Sequence, residues 1–202
     1  MTTSRDLMTV ALDVTAGRTV EQGDLSLALA GAELIDLIDG HALTLDDDSI
    51  VPGPEQATDD RLLDEAVSSL RRQAPYESVQ DWLWRRGRGL SAAYLAALEA
   101  EGELTGQRRG WLPLRTDPTA RPDTPAHRRA TDRWTSGEPV LAQLGAAVGI
   151  RDEPTGEDLA DLTDDSIATV LDAVHDAVTE LAAVRHRREI EEAAFDNIWR
   201  AP

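Results

Sequence analysis

Cysteine is absent from the 202 residues, which removes disulfides, thiolate metal sites and thiol nucleophiles together. Lysine is absent too: all 20 basic residues are arginine, a usage that reads as a coding bias towards high GC more than as a selected chemistry. Aromatic residues are scarce at 4%, with a single phenylalanine. No apolar run approaches the roughly 20 residues that a membrane-spanning helix needs. The N-terminus, from Met1 to Asp6, has no apolar stretch of signal-peptide length. These absences predict a cytoplasmic protein. Catalytic signatures are missing as well. There is no HExxH, no Gly-x-Ser-x-Gly elbow and no phosphate-binding glycine loop, and His41, His127, His175 and His186 show no ligand spacing. No catalytic residue, metal ligand or cofactor is assigned from the sequence.

What is present fits one large domain, or one domain with an appendage: apolar residues make up 41% of a chain long enough to bury a real core. The division drawn from the sequence is a helical domain over 1–150 and C-terminal helices over 151–202 packed on it. The net charge of −18 is unevenly spread. Residues 1–60 hold 13 acids and 2 bases, residues 61–135 hold 10 and 13, and residues 136–202 hold 15 and 5. An acidic chain is repelled by nucleic acid and by anionic lipid, so nucleic acid is excluded as a partner and any anionic surface must meet the middle third.

The chain is organised around residues 24–43. From Leu25 to Ile38 only Ser26, Glu33 and Asp36 are strongly polar, and a helical step gathers them into one narrow sector. Such a helix is buried nearly all round. Glu33 and Asp36 either face one cavity or form a solvated stripe, and the stripe is the simpler reading.

Elsewhere the periodicity predicts a short helix over 4–14, a turn at Gly17, a strand over His41–Leu45 and a loop over 51–57. Helices are expected from Asp59-Asp60 to Arg72, from Ser78 to Arg86 and from Leu90 to Glu101. Residues 103–114 read as a β-hairpin whose tip carries Arg108 and Arg109, with Trp111 behind it. Further helices are expected over 126–134 and from Pro139 to Val148, and Thr155–Asp158 resembles a capping box. A long helix starts at Thr163-Asp164-Asp165; its pattern fades after Val184, so a kink, or a tail packed on a neighbour, is expected.

Asp46-Asp47-Asp48 and Asp59-Asp60 invite comparison with the aspartate-rich motifs that hold magnesium and diphosphate in helical isoprenoid enzymes. A turn accounts for the first and the helix dipole for the second. Trp82, Trp84 and Trp111 stand beside arginines, an arrangement that suits a membrane interface, a phosphate ligand, a protein contact, or plain core packing with solvated arginines.

Three stretches carry a family resemblance: Gly31–Leu43; Leu62-Leu63-Asp64-Glu65-Ala66 with Ser78–Trp82; and Leu95–Leu114, including Glu101-Gly102-Glu103-Leu104. In order and spacing they resemble the Golgi phosphoprotein 3 family, including its bacterial, notably actinobacterial, members. The resemblance implies a mainly α fold: a compact helical domain around a central hydrophobic helix, with a small protruding β-hairpin. Eukaryotic members bind phosphatidylinositol 4-phosphate on Golgi membranes and recruit cargo enzymes, using a headgroup pocket of one tryptophan and three arginines. Those positions fall here at Glu21, Ala30, Arg88 and Ser91. A carboxylate at position 21 would repel a phosphate by roughly 1 to 4 kcal/mol, depending on the local dielectric, which implies that phosphoinositide binding is lost.

Two functions follow as expectations. The first is a non-enzymatic adaptor that docks on an anionic membrane surface or a partner protein through Arg85, Arg86, Arg108, Arg109 and Trp111, with homo-oligomerisation through the 103–114 hairpin. The alternative is a small-molecule binder or magnesium/diphosphate enzyme that reuses the family pocket, with Glu33 or Asp36 as its carboxylates.

Overall fold

The computed structural model describes residues 2–14, 20–54, 57–103, 124–151 and 164–200, with side chains described as far as Glu192. Helix α2 (Gln22–Asp39) is its axis. Leu27, Ala28, Leu29, Ala32, Leu34, Ile35 and Leu37 are all buried, on every side of the helix. The reason is that α2 touches α1 (Thr3–Val14), α3 (Arg61–Ser69), α4 (Val79–Arg86), α5 (Leu90–Ala100), α7 (Pro139–Ala147) and α8 (Asp165–Arg200). Helix α6 (Pro125–Thr135) packs outside this ring, on α1 and α7.

Local chemistry sets the helix ends. Asp60 accepts from the backbone N–H groups of Leu62 and Leu63 and so caps α3, Ser78 caps α4, and Thr124 caps α6 with Pro125 in its first turn. Each such cap stabilises its helix by about 1 kcal/mol. Helix α2 meets α8 closely because residue 31 is glycine. A Cβ there would overlap Val174 Cγ2, so any side chain requires Val174 or its helix to shift.

The fold is mainly α-helical with one small antiparallel hairpin among the described residues, β1 (Leu43–Asp46) paired with β2 (Ser49–Pro52). This hairpin is not the one expected from the sequence. The 103–114 segment with Arg108, Arg109 and Trp111 lies outside the described residues beyond Glu103, as do Gly17 and the Thr155–Asp158 capping box. The loop expected over 51–57 gives way to β2 at Val51 and Pro52. The Asp46–Asp48 run is the hairpin tip, where Asp47 adopts φ 53°, a backbone state that aspartate tolerates better than most residues. Leu43 and Ile50 turn inward and are buried, and the far edge of β2 meets residues 77–79 through Ile50 N–H to Glu77 O at 2.9 Å.

The last described element is α8, a helix assigned without a break from Asp165 to Arg200. Val170, Leu171, Val174, Ala177 and Val178 join the common core, and the helix packs on α2, α4 and α7.

Candidate functional site

In the polar sector of α2, Ser26 and Glu33 are buried and Asp36 is half-buried, and each is spoken for. Ser26 Oγ lies 2.9 Å from Ser91 Oγ and accepts from the Ser91 N–H at 3.1 Å. Glu33, fully buried, receives Arg86 Nε and Nη2 at 2.7 and 2.8 Å and the Tyr94 hydroxyl at 3.1 Å. Asp36 accepts from the N–H groups of Thr3 and Ser4 at 2.7 and 3.1 Å, and so caps α1 from a different helix. Burial pushes the carboxyls of Glu33 and Asp36 above their ordinary range, against the pull of Arg86 on the first and of the α1 amides on the second. The solvated stripe expected from the sequence is therefore an internal seam. Its carboxylates are bound to protein partners.

Four arginines of the middle third, Arg85, Arg86, Arg129 and Arg133, are similarly engaged. Arg85 stacks over Trp82 at 5.0 Å and donates to both Glu77 oxygens, at 2.6 and 2.7 Å. Arg86 was expected on a docking surface, but its guanidinium turns inward to Glu33 and to the Leu62 carbonyl, because a buried carboxylate needs a charged partner. Arg129 and Arg133 each donate to buried Asp6 at 2.7 Å, and Arg133 also reaches Glu138 at 2.9 Å. His127 Nε2 lies 3.0 Å from Asp13. The cations that separate so clearly along the sequence thus serve acids contributed mainly by its first third. Trp82 is a core residue, and Trp84 is half-buried. Among the described residues no group of His, Asp or Glu side chains is arranged to hold a metal ion.

Three of the four pocket positions gather at the first turns of α2. Glu21, the residue before the helix, is exposed, and its carboxylate lies 3.2 Å from Arg185 Nη1. Arg185 also holds Asp24. Ser91 is buried against Ser26, with its hydroxyl 3.3 Å from the Gln22 carbonyl. Arg88 is exposed on the turn between α4 and α5, next to Gly87, which packs on the Ser26 carbonyl. Ala30 is fully buried two turns further on, and its carbonyl accepts from Trp82 Nε1 at 3.1 Å, so it faces no surface ligand. The model of the family Golgi phosphoprotein 3 (GPP34) matches residues 4–192, nearly the whole chain. The chain belongs to the Golgi phosphoprotein 3 family. No curated protein matches it.

Within the Golgi phosphoprotein 3 framework, the cluster at the start of α2 is cationic, among the described residues, at Arg88 and Arg185, and Arg185 is tied to two carboxylates. Burial raises the Asp24 carboxyl, and Arg185 opposes that rise.

The residue that sequence reasoning missed is Arg5. It is 8% exposed and donates to Asp60 and, through Nη2 at 2.8 Å, to Glu101, joining α1 to α3 and to the end of α5. The available signal was its isolation: residues 1–60 hold only two bases, and one of them sits in an otherwise apolar helix face. Burial works against the Asp60 charge, but Arg5 and the α3 amides outweigh it and hold the carboxyl below its ordinary 3.8. A lowered carboxyl stabilises the fold above the unfolded-state value, and that contribution is lost as pH falls through the folded value. Asp60→Asn should therefore cost a constant amount of stability from pH 7 down to about 4, with the gap to the parent closing below that. Urea titrations across pH check this, and a gap that widens in acid would contradict it.

Proposed function

We propose that this family member is a non-enzymatic adaptor, of the bacterial, actinobacterial type, that docks peripherally on the anionic inner face of the cell membrane and no longer selects a phosphoinositide headgroup. The observation that carries the reading is the state of the pocket positions: Glu21 is an acid salt-bridged to Arg185, Ala30 is inside the core, and Ser91 is bonded to Ser26. A pocket so altered has lost most of its attraction for a phosphomonoester, while the scaffold around it persists. Membership across residues 4–192 supports a docking role, as does Arg88, exposed on the body. In the sequence, Arg108 and Arg109 beside Trp111 add to it. Each arginine near an anionic leaflet contributes about 1 kcal/mol, and an indole suits the headgroup layer. No helix among the described residues is long and apolar enough to cross a membrane.

Vesicle flotation tests the reading. The protein should rise with phosphatidylcholine vesicles containing phosphatidylglycerol, stay behind with phosphatidylcholine alone, and gain nothing from phosphatidylinositol 4-phosphate at matched charge. Arg108→Glu with Arg109→Glu should reduce recovery at least tenfold, since reversing two arginines removes more than 2 kcal/mol of attraction. Equal recovery with neutral and anionic vesicles, or no loss in the double variant, would dismiss the membrane and leave a protein partner as the docking target.

A further inference from the structure

Helix α8 serves the core over its first half only. Val170, Val174 and Ala177 are fully buried, and Leu181 packs against Gly23. Arg185, held by Glu21 and Asp24, marks where the body ends. Every residue from His186 to Glu192 is exposed, including Ile190 at 55%, yet the helix continues to Arg200. A projecting helix end of this length is marginal in water on its own, because isolated helices below roughly 12 to 15 residues gain too little to hold their shape.

The sequence of that projection has a specific order. Positions 170, 174, 177, 181, 184, 188, 191, 195 and 198 recur in alternating steps of four and three, the spacing of a coiled-coil seam. They read Val, Val, Ala, Leu, Val, Arg, Glu, Phe, Ile. The stripe that packs on the core within the body therefore continues past it, interrupted by two charges of opposite sign, Arg188 and Glu191. The interruption lies within a basic block, Arg185 to Arg188, followed directly by an acidic one, Glu189 to Glu192.

We propose that residues 184–195 of α8 pair antiparallel with the same segment of a second copy of this chain. A two-fold axis between residues 189 and 190 sets Arg188 opposite Glu191 of the second copy, Arg187 opposite its Glu192, and Val184 level with its Phe195. The operation is self-complementary, as a two-fold contact must be. Parallel pairing would instead set Arg188 on Arg188 and Glu191 on Glu191, so the two charges in the seam choose the antiparallel register. The paired stretch is short, about 18 Å of helix, and the dimer it makes dissociates on dilution.

The test uses the full chain. Light scattering on the parent protein should show the mass doubling as concentration rises. Arg187→Glu with Arg188→Glu makes residues 187–192 acidic, and Glu191→Arg with Glu192→Arg makes the segment net basic. Each variant should stay a monomer at every concentration, and an equimolar mixture of the two should recover the doubled mass. All four residues are exposed, so the fold is untouched, and unchanged helical circular dichroism verifies this. Since the chain has no cysteine, single spin labels at Glu180→Cys and Glu189→Cys read the direction. Antiparallel pairing separates the 180 labels by roughly 28 Å along the axis and brings the 189 labels level, whereas parallel pairing makes the two distances equal. A parent protein that stays monomeric throughout, a doubled mass indifferent to the charge reversals, or reversals that change only vesicle binding would each overturn the proposal. The last of these would identify a membrane as the occupant of the tail.

Discussion

Replacing Arg86 with methionine should cost about 3–5 kcal/mol, a large part of the roughly 5–15 kcal/mol that holds a domain together. The size follows from what is left behind. Glu33 is fully buried, and once the two guanidinium contacts at 2.7 and 2.8 Å are gone only the Tyr94 hydroxyl still serves it. A lone carboxylate in that position escapes by taking up a proton, and burial already moves its titration upward. The folded variant then binds a proton that the unfolded chain releases, so its stability falls as pH rises through the raised value. The deficit should accordingly be largest at pH 8 and shrink towards pH 5. Pairing Arg86→Met with Glu33→Leu should restore most of the loss, because no charge then remains to be compensated. Urea unfolding followed by circular dichroism supplies the numbers. A loss below about 1 kcal/mol for Arg86→Met would mean that water reaches Glu33.

Trp82→Ala should be as severe, at about 3–5 kcal/mol, for a different reason. The indole is completely buried between α4 and α2, and its N–H reaches the Ala30 carbonyl at 3.1 Å. Truncation leaves a cavity that the stiff α2 backbone cannot close, and it also removes the ring beneath Arg85. Trp82→Phe separates the contributions. It keeps most of the packing and forfeits the hydrogen bond, so it should cost about 1–2 kcal/mol. Equal losses for both variants would show that the hydrogen bond, not the volume, dominates.

These two residues also show where sequence reasoning succeeds and stops. Apolar residues on all sides of 25–38 can only mean a helix surrounded by others, and α2 is that helix. Helix starts were legible at Asp60 and Ser78 because capping is local chemistry: a side-chain oxygen answers amides two or three residues away. Glu33, Asp36 and Arg86 were not legible. Periodicity places polar groups on a face, but water and a guanidinium from 53 residues away satisfy a carboxylate equally well on paper. Strand β2 was missed because Ser49-Ile50-Val51-Pro52 is too short to alternate visibly and ends in proline; its partner across the tip and the edge it shares with residues 77–79 hold it. The arginine-rich middle misled for the same reason as Glu33. Charge totals describe stretches of chain, whereas charge balance is struck in space, between Asp6 and Arg133 or between Asp24 and Arg185.

That long-range balance bears on how the molecule comes into being. Asp24 must wait for a residue 161 positions later, Asp6 for one 127 positions later, and the small-residue notch at Gly31 for Val174. As the chain leaves the ribosome, its central rod is made more than 120 residues before the helix α8 that completes its enclosure. A nascent or clipped product ending before α8 therefore carries an uncovered apolar flank and unanswered acids, a natural substrate for chaperones and proteases until α8 arrives.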